Sequence, residues 1–200
     1  MAEPIPLTIR REWPRLDKKV LDALKGVPTG FVVDAIGRAG ALHECIRPVW
    51  AGPHFVGSAL PVWTTARDNL APYAAIKFAK PGDVMLIATD EFEAASVIGD
   101  IIIGMMKNAG IVAAVTDGLV RDVPGIIEVG IPIYARGVTP NSPFKHGPGT
   151  IGLPIALGGQ RVEPGDLVVG DGDGVVVVPR WRVRELLAEL PAIREKEAQM

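Results

Sequence analysis

Short runs of valine, isoleucine and leucine, each separated from the next by glycine or proline, recur along the 200-residue chain. Glycine contributes 23 residues and proline 18, and neither follows a fixed period. Such punctuation divides a chain into many short elements, because glycine adopts the backbone conformations of tight turns and proline ends helices and strands. With 48% hydrophobic and 22% charged residues, the chain can bury a sizeable core. We therefore expect one folded domain over residues 1–200, and neither a disordered nor a collagen-like chain.

Apolar periodicity predicts most of the secondary structure. The predicted elements are helices over residues 16–24, 29–38 and 70–78, a strand over 84–88, a hairpin formed by 167–169 and 175–178, and a C-terminal helix over 182–197 with a kink at Pro191.

The segment from Gly99 to Asp122 has the order helix, strand, loop. Its apolar pattern predicts a helix from Asp100 to Asn108, ended by Gly110, and a strand over 111–116. The strand leads directly into Asp-Gly-Leu-Val-Arg-Asp at 117–122. In α/β folds, ligands usually bind at loops that follow the carboxyl ends of strands. This loop is therefore the first candidate for a functional site.

Two features of this segment suit a charged ligand. Arg121 beside Asp122 places a fixed cation next to a carboxylate that can bind a hard divalent ion. Gly99 precedes a predicted helix whose first backbone amides lack partners and suit a carboxylate or phosphate. Taken alone, the Arg121–Asp122 pair is explained more simply as a local ion pair on a surface turn. The start of this helix becomes a candidate for ligand binding because it lies one helix and one strand before Arg121.

Composition excludes several other classes of protein. The net charge of -2 provides no positive field for direct binding of nucleic acid or an anionic membrane. The single Cys45 excludes an intrachain disulfide, which favours a reducing, cytoplasmic location. Residues Met1–Ile9 lack the basic start of a signal peptide, and the longest uncharged run, 48–66, is interrupted by proline and glycine. We therefore expect a cytoplasmic protein with no membrane span.

Two further patterns are better explained by structure than by chemistry. The Gly-Asp-Gly-Asp-Gly run at 170–174 has Val175 where a calcium loop needs another oxygen ligand, so it predicts a tight turn. The three histidines, His43, His54 and His146, are scattered and show no zinc-ligand spacing.

Four motifs in the same order resemble those of the RraA-like family, which contains 4-hydroxy-4-methyl-2-oxoglutarate aldolases and the regulator of ribonuclease activity A. The motifs are Gly-Asp-Ile-Ile at 99–102, Asp-Gly-Leu-Val-Arg-Asp at 117–122, Gly-Ile-Pro-Ile-Tyr-Ala-Arg-Gly at 130–137, and Pro-Gly-Asp at 164–166 followed by Gly-Asp-Gly-Asp-Gly-Val-Val-Val-Val-Pro at 170–179. The resemblance covers most of the chain. It implies an α/β fold of the swivelling β/β/α type seen in phosphohistidine domains, assembled as a homotrimer or a dimer of trimers with sites between subunits.

The aldolase branch of this family also implies roles for individual residues. Asp122 is expected to anchor Mg²⁺ or Mn²⁺, and Arg121 to bind the 2-oxo acid and steady its enolate oxygen. The backbone amides of four residues are expected to hold the substrate carboxylate: Gly99, Asp100, Ile101 and Ile102. Asp100 is further expected to position the water that shuttles the proton. Without a Schiff-base lysine, the enolate left by carbon–carbon cleavage needs a metal ion and a cation where its negative charge develops.

The chain departs from the aldolase pattern at one position. An acidic residue is expected three positions after the metal-binding aspartate, and Gly125 stands there. This departure weakens the inference of activity, because residues around a metal ligand tune its affinity. The aldolases also receive a glutamate from the C-terminal region of a neighbouring subunit, for which Glu195 and Glu197 are both available.

Two functions follow from the resemblance. The first is a metal-dependent lyase that cleaves 4-hydroxy-4-methyl-2-oxoglutarate or decarboxylates oxaloacetate, since both reactions pass through the pyruvate enolate. The second is a non-catalytic regulator that binds a protein partner such as ribonuclease E. Metal-dependent release of pyruvate distinguishes them, whereas the presence of Arg121 and Asp122 does not.

Overall fold

The computed structural model describes residues 7–51 and 54–199. The first six residues, on which part of the signal-peptide interpretation depends, lie outside the described residues, as do positions 52, 53 and 200.

The described residues form six α-helices and fourteen strands, and seven of the strands follow one another between the last two helices. The α-helices are α1 (Lys18–Ala23), α2 (Thr29–Ala35), α3 (Leu70–Ala75), α4 (Asp100–Asn108), α5 (Val123–Val129) and α6 (Val183–Ala198). The strands are β1 (Leu7–Ile9), β2 (Arg47–Pro48), β3 (Phe55–Thr64), β4 (Asp83–Ala88), β5 (Ser96–Ile98), β6 (Ala113–Thr116), β7 (Leu119–Val120), β8 (Ile133–Ala135), β9 (Gly137–Val138), β10 (Gly149–Ile151), β11 (Ile155–Leu157), β12 (Gln160–Val162), β13 (Leu167–Asp171) and β14 (Gly174–Val178).

A mixed sheet of nine strands forms the centre of the fold. Its main path runs β1-β10-β3-β4-β6-β8-β2, and the hairpin β13–β14 joins through β13. Strands β3, β4, β6 and β8 are parallel. The long strand β3 pairs with β13 through its first half and with β10 through its second half. The sheet therefore forks at β3.

The central strands are buried on both faces, which explains their continuous apolar sequences. In β4, Met85 and Ile87 pack on one face with α4 and α5, whereas Val84 and Leu86 pack on the other face with β11 and the hairpin. A third apolar cluster joins α1, α2 and α6 to the remaining face of the hairpin. The sheet is thus covered by helices and strands, as in other α/β folds with parallel central strands.

A second, smaller sheet positions the candidate site. It consists of three parallel strands in the order β5-β7-β9. The carboxyl end of β5 leads into Gly99 and α4, and that of β7 leads into Arg121, Asp122 and α5. Because the strands are parallel, the residues that follow them meet at one edge.

Several predicted elements occur close to their expected positions. Helix α4 spans the predicted Asp100–Asn108, and the predicted hairpin is β13–β14. The helix expected over 29–38 ends at Ala35, and the strand expected from residue 111 begins at Ala113. The interpretation of 117–122 as one loop is wrong, because Leu119 and Val120 form β7. A two-residue strand is too short to produce a periodic signal.

None of the helices in the described residues combines the length and apolarity needed to cross a membrane.

Candidate functional site

The parallel strands of the small sheet bring two distant segments of the sequence together. The Arg121 backbone amide donates to the Ile98 carbonyl at 3.2 Å, and the Thr139 amide donates to the Val120 carbonyl at 2.9 Å. These bonds extend the pairing by one residue beyond β7 and β9. As a result, Gly99 and Arg121 leave adjacent strands side by side.

A cavity of about 280 Å³ opens at this edge. Its wall contains every residue that sequence analysis assigned to the site: Gly99, Asp100, Ile101, Ile102, Arg121 and Asp122. The rest of the wall comes mainly from residues near α3 and from the loop before β10. The fold therefore brings the predicted residues together, although the small sheet that does so was not predicted.

Asp122 is held in an unusual backbone conformation. Its φ of 62° and ψ of 44° lie in the left-handed region, which few residues other than glycine and asparagine or aspartate adopt. It occupies the N-cap position of α5, yet its side chain does not cap the helix. Instead, one carboxylate oxygen lies 3.1 Å from Arg121 Nε, and the side chain is 41% exposed. Residues held in such sparsely populated backbone conformations cluster at functional sites, so the left-handed conformation makes Asp122 a candidate functional residue.

Gly99 makes the close approach of Asp122 possible. A Cβ atom at position 99 would lie 2.5 Å from Asp122 Oδ2 and 3.0 Å from Arg121 Cγ. Both distances are shorter than an ordinary van der Waals contact. Any larger residue at 99 would have to displace the Arg121–Asp122 pair.

Arg121 is fixed from two sides. Its Nη1 donates to Ser142 Oγ at 2.6 Å, while Nε faces Asp122. The planar guanidinium is thereby oriented before any ligand binds, and its side chain remains 35% exposed. A fixed cation of this kind suits a carboxylate or a developing enolate oxygen.

The N-terminus of α4 provides fewer amides than sequence analysis predicted. The first intrahelical bond runs from the Ile103 amide to the Gly99 carbonyl. The Ile101 amide, expected to bind substrate, donates to Asp100 Oδ1 at 2.7 Å. The amides of Gly99, Asp100 and Ile102 have no hydrogen-bond partner among the described residues. An anion at this end of the cavity would thus meet three of the four expected amides, and the Asp100 carboxylate competes for the fourth.

The Asp100 side chain lies against Gly125. A Cβ atom at position 125 would be 2.5 Å from Asp100 Oδ2 and 2.7 Å from Asp100 Cβ. The space beside residue 125, where the aldolase pattern has an acidic side chain, is therefore filled here by the Asp100 carboxylate. The position of Asp100 therefore requires glycine at residue 125, because a larger residue would overlap its side chain.

The cavity also contains polar residues that sequence analysis missed: Asn69, Tyr73, Ser96, Ser142 and Lys145. They belong to no motif and reach the cavity through tertiary contacts. One of them, Ser142, contacts the predicted residue Arg121, and no spacing in the sequence indicated it.

Asp117, the first residue of the 117–122 motif, does not line this cavity. It is buried and accepts hydrogen bonds from the Thr89 amide at 2.7 Å, the Thr89 hydroxyl at 2.9 Å and the Glu91 amide at 3.3 Å. Burial raises the pKa of the Asp117 carboxyl above its ordinary value. Asp90 and Glu91, in the loop that it holds, both have positive φ. Asp117 therefore stabilises a strained loop.

The side chains at the cavity fit a metal ion that keeps most of its water. Within residues 7–51 and 54–199, no three histidine, cysteine, aspartate or glutamate side chains converge on one point. Asp122 offers one partly exposed carboxylate beside a helix N-terminus. Mg²⁺ is commonly bound through one or two carboxylates and several waters, so this donor set fits Mg²⁺ or Mn²⁺ and excludes an all-protein zinc cage.

Comparison with known proteins identifies the family. The sequence profile of the RraA-like family, described as Aldolase/RraA, matches residues 19–177. A protein of Halalkalibacterium halodurans, provisionally named 4-hydroxy-4-methyl-2-oxoglutarate aldolase, is 37% identical over 161 residues, which cover 80% of this chain and 77% of that protein. The chain belongs to the RraA-like family.

Solved structures show the same fold. An uncharacterized protein from Pseudomonas syringae pv. tomato superposes with a TM-score of 0.82 at 27% identity, covering 93% of this chain and 92% of its own. Streptomyces coelicolor RraAS2, described as an unusual member of the RNase ES inhibitor RraA protein family, superposes with a TM-score of 0.81 at 27% identity, covering 92% of this chain and 97% of its own. The expected α/β fold of this family is confirmed.

Proposed function

We propose that this protein is a divalent-metal-dependent carbon–carbon lyase that acts on 2-oxo acids through a pyruvate enolate. One observation carries the proposal: a single cavity brings together a helix N-terminus, an oriented guanidinium and a strained carboxylate that does not cap its helix. The assigned name of the Halalkalibacterium relative supports aldol cleavage of 4-hydroxy-4-methyl-2-oxoglutarate. Oxaloacetate decarboxylation is a second reaction through the same enolate.

Different residues of the cavity bind the substrate carboxylate and stabilise the negative charge of the enolate. The Asp100 and Ile102 amides at the α4 N-terminus hold the substrate carboxylate, where the helix dipole also favours negative charge. Arg121 places its guanidinium beside the keto oxygen and stabilises the negative charge that develops there. Its bond to Ser142 fixes that orientation, so little reorganisation is needed during the reaction.

Asp122 would hold Mg²⁺ or Mn²⁺, which supplies Lewis-acid stabilisation of the enolate oxygen when bound. The side chain is suited to this role because it is half-exposed and its backbone conformation directs it away from the α5 amides.

Asp100 is the residue that we assign to proton transfer. Its carboxylate lies at the cavity wall, held by the Ile101 amide on one side and packed on Gly125 on the other. A carboxylate so fixed can position a water molecule and exchange a proton through it. In aldol cleavage, the proton removed from the 4-hydroxyl group as the C3–C4 bond breaks would be returned through this water to the enolate carbon, so that the products are two molecules of pyruvate.

We further propose that the protein forms a closed homotrimer or a dimer of trimers. Large apolar side chains are exposed around the cavity, including Ile101 at 74%, Phe144 at 57% and Tyr73 at 43%. Glu195 and Glu197 lie near the end of α6 and do not line this cavity, so a catalytic role for either one would require it to reach the site of a neighbouring subunit. Light scattering that shows a stable monomer at micromolar concentration would contradict a shared site.

The test is release of pyruvate by the purified protein from 4-hydroxy-4-methyl-2-oxoglutarate and from oxaloacetate, with Mg²⁺, with Mn²⁺ and with chelator. We expect release with either metal and none with chelator. The likeness to RraAS2 supports one other function, a non-catalytic regulator that binds a ribonuclease. We also propose that the protein is cytoplasmic and does not itself bind nucleic acid, on the basis of its single cysteine and its net charge of -2. An oligomeric protein that releases no pyruvate under any of these conditions would favour the regulator.

A further inference from the structure

Trp181 is the most exposed of the large apolar side chains in the described residues, with 79% of its surface accessible. It belongs to a short 3₁₀ turn, Arg180–Arg182, that leads directly into α6, and it does not line the cavity of the proposed active site. The other tryptophans, Trp13, Trp50 and Trp63, are buried or half-buried. Tryptophan is among the residues that contribute most to binding between proteins. Its exposure here marks a candidate docking surface.

The turn that carries Trp181 is held in place from two sides. The Arg180 backbone amide donates to the buried Asp166 carboxylate at 2.8 Å. Arg182 Nε donates to Glu185 Oε2 at 2.9 Å, and the guanidinium carbon of Arg182 lies 5.8 Å from the centroid of the Trp181 ring. The exposed indole is therefore positioned before any partner binds, which lowers the entropic cost of binding.

Two arginines with unpaired charges flank the indole. Arg180 and Arg184 are both exposed, and neither forms an ion pair within residues 7–51 and 54–199. The 3₁₀ turn continues into α6 with helical backbone angles, so residues three and four apart lie side by side. Arg184 is thus a neighbour of both Arg180 and Trp181, on the side of the helix away from the buried Val183 and Leu186.

The size and charge of this patch favour a short acidic peptide over other partners. A stable contact with a second folded copy needs about 800 Å² from each partner, whereas one tryptophan side chain covers about 150–250 Å². Glu185 and Glu189 follow the arginines on the same helix and are exposed, so a long polyanion such as RNA or an anionic membrane would meet negative charge beside the positive charge. A short peptide can place its carboxylates on the two free guanidinium groups alone, and guanidinium binds carboxylate strongly.

We propose that Arg180, Trp181 and Arg184 form a docking site for a short acidic segment of another protein. An apolar side chain of the segment packs on the indole, and neighbouring carboxylates pair with the two guanidinium groups. The docking site lies outside residues 19–177, which match the family profile. It does not depend on the proposed lyase reaction, because none of its residues lines the cavity where that reaction is placed.

Selection from a phage library of random eight-residue peptides tests the chemistry of the partner without assuming its identity. We expect the intact protein to select peptides rich in aspartate and glutamate that also contain an apolar residue. The most enriched peptide, synthesised with a fluorescent label, should bind Trp181→Ala and Arg184→Glu at least about tenfold more weakly by fluorescence polarisation. Arg194→Glu is the matched control, because Arg194 is exposed on the same helix about 15 Å further along. It should bind the peptide as tightly as the intact protein.

Three results would overturn the docking site. The first is a selection that yields no peptides, only neutral or basic ones, or the same peptides from Trp181→Ala as from the intact protein. The second is a change of oligomeric mass in Trp181→Ala by light scattering, which would assign the indole to a contact between copies of this chain. The third is binding of a polyuridine oligonucleotide or of phosphatidylserine vesicles that Trp181→Ala abolishes. Trp181→Ala should keep the unfolding midpoint and the pyruvate release of the intact protein, since its side chain is exposed and remote from the cavity wall.

Discussion

The contact between Asp100 and Gly125 allows the Asp100 carboxylate to be moved without being removed. Gly125→Ala places a Cβ atom 2.7 Å from Asp100 Cβ, whereas carbon atoms pack best at about 3.5–4.0 Å. Because the closest atoms include Asp100 Cβ as well as its flexible carboxylate, rotation of the carboxylate alone cannot relieve the overlap. The Asp100 side chain must therefore move by about 1 Å, and its charge stays the same.

A displacement of this size at a residue that transfers the proton should lower the rate of the reaction. Misplacement of a reacting group by about 1 Å can reduce the rate about a hundredfold. We expect kcat for pyruvate release to fall by about 10- to 100-fold in Gly125→Ala, equivalent to about 1.4–2.7 kcal/mol. Exchange of the pyruvate methyl protons with deuterated water, followed by NMR, should slow by the same factor, because it reports the proton step alone.

Gly104→Ala is the matched control in the neighbouring helix. Its Cβ atom would meet only Val129 Cγ2, at 3.8 Å, which is an ordinary contact. Alanine is favoured over glycine within a helix by about 0.5–1 kcal/mol, so this variant should be slightly more stable and fully active. Unchanged kcat and proton exchange in Gly125→Ala would refute the role of Asp100 in the proton step.

The other predictions concern the guanidinium, the metal ligand and the buried carboxylate. Arg121→Lys should lower kcat/KM at least about tenfold, or about 1.4 kcal/mol. An ammonium lacks the planar fork with which the guanidinium can contact Ser142, Asp122 and a substrate oxygen at the same time. Wild-type activity in this variant would show that Arg121 has only a structural role. Asp122→Asn should abolish metal-dependent pyruvate release yet change the free energy of unfolding by less than about 0.5 kcal/mol, since asparagine tolerates the left-handed backbone but binds Mg²⁺ poorly; denaturant unfolding and the pyruvate assay together check this. Asp117→Asn should lower the free energy of unfolding by about 1–3 kcal/mol, because one amide oxygen cannot replace two carboxylate oxygens that accept three bonds. Burial raises the pKa of Asp117, so its ionisation opposes folding, and the stability advantage of wild type over this variant should shrink as pH rises above about 4; an advantage that grows with pH in denaturant titrations would contradict this sign.

Local sequence determined the elements whose signal is contained in a few consecutive residues. The apolar run and terminal glycine define α4, and the Gly-Asp-Gly-Asp-Gly turn between valine runs defines the β13–β14 hairpin. For the same reason, Gly99 and Arg121 could be recognised as site candidates, each from its own helix start or strand end. Family resemblance then supplied their roles as expectations.

Tertiary structure decided the features that depend on contacts between distant segments. The two-residue strand β7 exists because β5 and β9 pair with it, not because of its own sequence. The left-handed backbone of Asp122 and the fit of Asp100 against Gly125 are likewise set by neighbours that no local pattern reveals. Asn69 and Lys145 reach one cavity only because backbone hydrogen bonds join the segment before α3 to the loop before β10. A residue's type and its near neighbours carry no information about such pairings, because the free energy that creates them comes from burial and hydrogen bonding across the whole fold.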